Sequence, residues 1–265
     1  MRYKMNINNL GLLNSLAAII NEGVYDSDYS TTEYILHNID NIQNITVNMI
    51  MDEAYVSRSA IRRFCNRLGY ENFSVLKHSL SDIIFPSNIH LREFENIGSF
   101  RKKVTRELSK MVIEMNDIIT DDIIDSLAGL INEHEGVSMI SANNISANLL
   151  KFQQELFYAK KIVKIVDNYF NRDEMNVSSR ETNLIMVVSV SGIFAEAINK
   201  IIHEIDGKKI LITGSHSEEY KKEYDQIIYI SKNDISDDKM GLYGKYGITY
   251  FFDLLSEHYI FSYKH

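Results

Sequence analysis

Five short apolar runs, Val137 to Ile140, Ile162 to Val166, Leu184 to Val190, Lys209 to Thr213 and Ile227 to Ile230, punctuate the second half of the chain. Each has the length of a strand, and helical stretches of about a dozen residues alternate with them. A strand that is apolar along its whole length has both faces covered. In a chain that alternates strands with helices, this means parallel pairing through crossover connections. Residues 121–265 therefore read as an α/β three-layer αβα sandwich with a five-stranded parallel sheet.

The first half has a different texture. Leu10, Leu13, Leu16, Ala17 and Ile20 share one helical face that ends at Gly23, and Tyr34, Ile35 and Ile39 mark a second helix. Thr46 stands ahead of a short third helix, Ser57 ahead of a fourth that stops at Gly69, and a fifth runs from Asn72 to Phe85. Pro86, the single proline, disfavours helical backbone at Phe85 and marks a boundary. Long periodic helices follow over Phe100 to Ile119 and Asp121 to His134. The chain is expected to be multi-domain: an all-α unit over 1–86, a linker and connecting helix over 87–120, and the α/β unit over 121–265.

Charge is distributed unevenly between these parts. The net charge is −8, yet from Val56 to Leu80 Arg58, Arg62, Arg63, Arg67 and Lys77 face Glu71 alone, so this segment is +4 and the remainder −12. Overall acidity excludes polyanion affinity spread over the whole surface and confines it to one helix. Ser57 can accept the amide of Ala60, Val56 can pack on Ile61, and Gly69 can supply a left-handed stop. At about 100° per residue, Ala60, Ile61, Phe64, Cys65 and Leu68 gather on one side, and Arg58, Ser59, Arg62, Arg63 and Asn66 on the other. Two helices joined by a short turn at Ala54 to Val56, the second cationic on its outer side, predict a helix-turn-helix. Arginine pairs bidentately with guanine and asparagine with adenine. Arg58, Ser59, Arg62, Arg63 and Asn66 are thus candidate DNA contacts, with Thr46, Ser57 and Lys77 suited to phosphates.

The segment "VSRSAIRRFCNRLGYENFSVLK", with the preceding "YILHNIDNIQNITVNMIMDEA", resembles the N-terminal DNA-binding domain of the RpiR family of bacterial transcriptional regulators. Val56, Ser57, Arg63, Phe64, Leu68, Gly69, Tyr70 and Phe73 carry the resemblance, whereas Tyr55 replaces a usual glycine and Ile50 a usual alanine. The resemblance implies a C-terminal sugar isomerase (SIS) domain and control of sugar or phosphosugar metabolism genes. It also implies a homodimer or homotetramer on an inverted-repeat operator in double-stranded DNA, with a phosphosugar or other anionic effector.

Within "LIMVVSVSGIFAEAI", Ser189, Ser191 and Gly192 form a strand-to-helix turn suited to an anion. Ser141, Asn143 and Ser146 lie in the first strand turn, and Lys245 aligns with a family arginine, completing the candidate effector set. Phe194 stands where the family has a hydroxyl residue, and Ser141 and Asn143 or Asn144 where it has glycines. Two readings follow: an altered anionic ligand, or a dimerisation body without one.

The alternative from another class is a SIS-domain sugar-phosphate isomerase, which needs a general base. Glu196, His203 and His216 are the candidates by type, and each has a plain surface role, so the expectation is a non-enzyme. No glycine-rich nucleotide loop and no metal-ligand spacing occur, and Cys65 is the single cysteine, so neither cofactor nor metal is expected. The N-terminus lacks the pattern of a secretory leader and no run is long enough to span a bilayer, so a cytoplasmic protein that stays off membranes is expected.

Overall fold

The computed structural model describes residues 7–81, 96–141, 145–166, 183–235 and 240–264. The chain divides into two compact units, Met1–Ile84 and Phe85–His265.

The first unit is helical: α1 (Ile7–Glu22), α2 (Ser27–His37), a 3-10 turn (Ile39–Asn44), α3 (Val47–Glu53), α4 (Arg58–Arg67) and α5 (Phe73–Ser81). Local chemistry sets the helix ends. The Asp26 carboxylate accepts the amides of Asp28 and Tyr29, both at 2.9 Å, and so opens α2. Thr46 caps α3 by accepting the Met49 amide at 3.2 Å, and Ser57 caps α4 by accepting the Ala60 amide at 3.2 Å. At the far end of α4, Tyr70 N–H donates to the Cys65 carbonyl at 2.9 Å and Gly69 N–H to that of Asn66 at 3.0 Å. Gly69 sits at φ +80, so the exit is a Schellman motif that only a residue tolerant of the left-handed region accepts. Leu12, Leu16, Ile35, Ile50, Ile61, Phe64, Cys65 and Leu76 form the core. Burial pushes the Cys65 thiol up to about 11, which leaves it protonated at neutral pH, a packing group.

In the second unit, α6 (Ile97–Ile118) and α7 (Asp121–Glu133) precede β1 (Gly136–Ser141), α8 (Ser146–Tyr158), β2 (Val163–Val166) and β3 (Asn183–Val188). Then come α9 (Ile193–His203), β4 (Lys208–Thr213), a 3-10 turn (Glu218–Lys222), β5 (Gln226–Tyr229), a π-helical turn (Tyr243–Gly247) and α10 (Ile248–Tyr263). The five strands are all parallel in the order β2-β1-β3-β4-β5. The expected strand runs and the three layers are therefore present. Alternation divides the strand side chains between two faces. Leu184, Met186 and Val188 of β3 join a cluster with Leu127 of α7, Leu149 and Phe152 of α8 and Phe251 and Leu255 of α10. Ile185 and Val187 point the other way. The chain leaves β1 toward β2 through α8 and leaves β3 toward β4 through α9. Right-handed crossovers running in opposite directions place α8 and α9 on opposite faces.

The sequence reads α6 as a connector, yet Met111 and Met115 are buried in the core of the second unit. A capping box opens this helix, with Asn96 accepting the Ser99 amide at 3.0 Å.

Candidate functional site

The arginine helix α4 sits on a scaffold that leaves one face open. Ala60, Ile61, Phe64 and Cys65 are buried, while Ser57, Arg58, Ser59, Arg62, Arg63 and Asn66 are exposed, as is Thr46 at the start of α3. Arg58 is held in place because its Nη2 donates to Asn48 Oδ1 of α3 at 2.9 Å, and the Ser57 and Ser59 hydroxyls meet at 2.9 Å.

Two of the five cations of this segment are engaged elsewhere. Arg67, turned off the open face, pairs with Asp28 of α2 at 2.9 Å. The Lys77 ammonium donates to the backbone carbonyls of Gln43 at 3.1 Å and Ile45 at 3.0 Å, tying α5 to the 3-10 turn. This gives Lys77 a structural task besides any phosphate contact. The outward charge is thus that of Arg58, Arg62 and Arg63, flanked by Asn66 and by hydroxyls. Such a face is suited to phosphates and base edges.

The second concentration of polar chemistry lies at the carboxyl ends of β1 and β3. Ser141 stands in register with Val188, so the two strands end side by side. Their connections leave in opposite directions, and that divergence is where doubly wound sheets open a crevice. The Ser141 hydroxyl is buried and finds no hydrogen-bond partner among the described residues. Ser189 faces inward: its Oγ accepts the Ala195 amide at 3.0 Å and braces the first turn of α9 from beneath. Ser191 is exposed, and Gly192 sits at φ +80 immediately ahead of α9. Phe194, 3% exposed, belongs to the packing of α9 and brings no donor to the turn. Asn143 and Asn144 lie outside the described residues, as does the side chain of Ser146. Lys245 falls in the π-helical turn and donates to the Met240 carbonyl at 3.1 Å.

Sequence reasoning missed the residues that wall this turn. Thr213 Oγ1 donates to the Ser189 carbonyl at 2.7 Å and accepts the Ser215 amide at 3.0 Å. Ser215 Oγ donates to Asp234 at 3.3 Å and accepts from the Tyr220 hydroxyl at 3.3 Å, while Asp234 also takes the His216 amide at 3.0 Å. Burial raises the Tyr220 phenol above its ordinary range, so it remains a neutral donor. A Cβ on Gly192 would run into the Tyr220 hydroxyl and lie 2.7 Å from Ser215 Cβ. "TGS" at the end of β4 was a readable signal for Thr213 and Ser215; Tyr220 and Asp234 carry none, since only the fold brings them to the turn.

The three residues named as general bases do not converge. Glu196 and His203 stand toward opposite ends of α9, about 10 Å apart along its axis. His203 Nδ1 lies 2.9 Å from the Glu223 carboxylate, and His216 bonds the Ser231 carbonyl at 3.0 Å and stacks on Tyr229. Among the described residues no group of three or more His, Cys, Asp or Glu could hold a metal ion, and no helix is long and apolar enough to cross a membrane.

Residues 12–86 match the helix-turn-helix domain of the rpiR family. An uncharacterised HTH-type transcriptional regulator, YfhH of Escherichia coli strain K12, is 23% identical over 216 residues, 73% of this chain and 72% of its own. Among solved structures, the Vibrio vulnificus NanR protein complexed with ManNAc-6P aligns with a TM-score of 0.50 at 15% identity, covering 94% of this chain and 92% of that one. The sugar isomerase domain of an RpiR transcription factor from Sphaerobacter thermophilus aligns with a TM-score of 0.46 at 12% identity, over 58% of this chain and 88% of that one. Residues 12–86 thus carry an rpiR-type helix-turn-helix domain, and an α/β unit with a five-stranded parallel sheet follows it.

Proposed function

We propose that this protein is a transcriptional regulator that places α4 in the major groove of double-stranded DNA and takes a phosphorylated sugar, or a similar anion, at the crevice between β1 and β3. The observation that carries the reading is the open face of α4: a helix capped at both ends, packed through Ile61 and Phe64, with Arg62, Arg63 and Asn66 exposed together. One such helix covers too little DNA to specify a site alone, so the working form is a dimer or tetramer on an inverted repeat. The protein acts as a regulator without turnover, in a cytoplasmic setting.

Selection of bound sequences from a random duplex pool tests the reading. Arg62→Ala and Asn66→Ala should each cost about 1–3 kcal/mol and relax preference at particular positions. A pool that yields no enriched sequence, or variants that bind the enriched site as the parent does, would refute the assignment of α4.

The ligand half of the reading is supported by the Ser141 hydroxyl at the strand-end crevice, buried and without a hydrogen-bond partner among the described residues. Ser141→Ala removes a buried hydroxyl that has no partner among the described residues and should raise the stability of the ligand-free protein by about 1 kcal/mol. The same variant should diminish thermal stabilisation by a phosphorylated hexose or hexosamine. If no such compound at millimolar concentration shifts the melting temperature of the parent chain, the crevice has no ligand of this class.

The loop beside the crevice is also tied to α6. Glu114 of α6 accepts the Lys232 amide at 2.8 Å and the Tyr243 hydroxyl at 2.9 Å, and the Lys232 ammonium pairs with Asp117 at 2.9 Å. The loop that supplies Lys232 also supplies Asp234, which braces Ser215 beside Gly192. A ligand that moves this loop therefore pulls on α6.

A further inference from the structure

We propose that Tyr55, in the turn between α3 and α4, hydrogen-bonds a DNA backbone phosphate through its phenol hydroxyl and so acts as a positioning contact beside the recognition helix. The proposal rests on the DNA-binding reading above and extends it to a residue outside the arginine face.

Tyr55 adopts φ +55, and with Lys160 it is one of two non-glycine residues in the left-handed region among the described residues. In that region a Cβ crowds the backbone. Elsewhere in this unit the chain meets similar backbone with glycine, at Gly23 (φ +67) and Gly69 (φ +80). The turn is anchored on both sides. Ala54 N–H is bound to the Ile50 carbonyl at 2.9 Å on one side, and Val56, 9% exposed, is anchored in the core on the other.

Nothing among the described residues offsets the strain. The Tyr55 side chain is 92% exposed, and its hydroxyl has no partner among the described residues. A strained, unpacked aromatic at such a place is expected where the side chain serves something outside the fold. What lies outside is set by position: Tyr55 comes two residues before Ser57, the N-cap of the helix whose N-terminal part approaches the groove. A phenol hydroxyl is a neutral phosphate donor of the kind that fixes register without reading sequence.

The experiment compares the full-length protein with Tyr55→Phe, Tyr55→Gly and Arg63→Ala, measuring affinity for a mixed-sequence duplex across a salt series, with a thermal melt of each variant. Tyr55→Phe should bind about tenfold more weakly, since it loses a hydrogen bond to a charged group. Its salt dependence should match the parent because no charge is lost, whereas Arg63→Ala should flatten the slope by about 0.9. Tyr55→Gly should bind as weakly as Tyr55→Phe and melt at the same or a higher temperature.

Parent-like binding by Tyr55→Phe, alongside weakened binding by Arg63→Ala, overturns this proposal and leaves the DNA reading standing. Parent-like binding by all three variants overturns both. A lower melting temperature for Tyr55→Gly overturns it too, by giving the ring a structural role.

Discussion

Phe64→Ala is expected to unfold the DNA-binding unit at denaturant concentrations that leave the α/β unit intact, and to abolish DNA binding near physiological temperature. The Phe64 ring is 0% exposed, at the centre of the cluster where α4 meets the other helices. Replacing a fully buried phenylalanine by alanine costs about 3–5 kcal/mol, through lost burial and the cavity left behind. A domain of this size has a total stability of about 5–10 kcal/mol, so one side chain carries a large share of it. Urea unfolding followed by circular dichroism should show an early helical transition in the variant, separated from that of the sheet-containing unit. A midpoint unchanged from the parent would mean that α4 is not packed as described.

Gly192→Ala is the corresponding test of the strand-end turn. The residue needs φ +80, and the added Cβ would strike the Tyr220 hydroxyl and the Ser215 side chain. Backbone strain alone costs about 1–2 kcal/mol. The collision adds to it, because Ser215 is pinned by Thr213 and Asp234, and a loss of about 2–4 kcal/mol from the α/β unit is expected. Gly23→Ala provides a control: φ there is +67 and a Cβ would have nothing within 4 Å, so only the backbone strain of about 1–2 kcal/mol applies. Equal losses for the two variants would show that the Tyr220 and Ser215 wall yields freely. The Gly192 variant should retain nonspecific DNA affinity while losing stabilisation by phosphorylated sugars, since the change lies in the other unit.

These two sites differ in how far they could be read from residues alone. The helix α4 was legible in detail: its cap at Ser57, its stop at Gly69, its buried side and its open side all appear as expected. Every one of those features depends on residues within one or two helical turns of each other, where backbone geometry leaves little choice. The sheet was legible for a related reason. A strand covered on both faces must be apolar throughout, and β3 is buried at all six positions.

The engagements of individual polar groups were not legible. Lys77 looks like one more cation of the arginine segment, but its ammonium holds carbonyls 34 and 32 residues away. Arg67 belongs to the same run and is paired with Asp28. Ser189 and Ser191 look equivalent in "SVSG", yet one faces inward to brace α9 and the other faces solvent.

The sequence by itself determined the class of each unit, the ends of its helices, the strand runs and the amphipathic division of α4, because periodicity and capping act over a few residues. Only the tertiary structure decided which charges remain outward on α4, that α6 packs into the second core, and that Ser215, Tyr220 and Asp234 surround Gly192. Those outcomes depend on side chains separated by tens of residues meeting within hydrogen-bond distance. Such meetings follow from how whole elements pack, a constraint that leaves no local periodic trace in the chain.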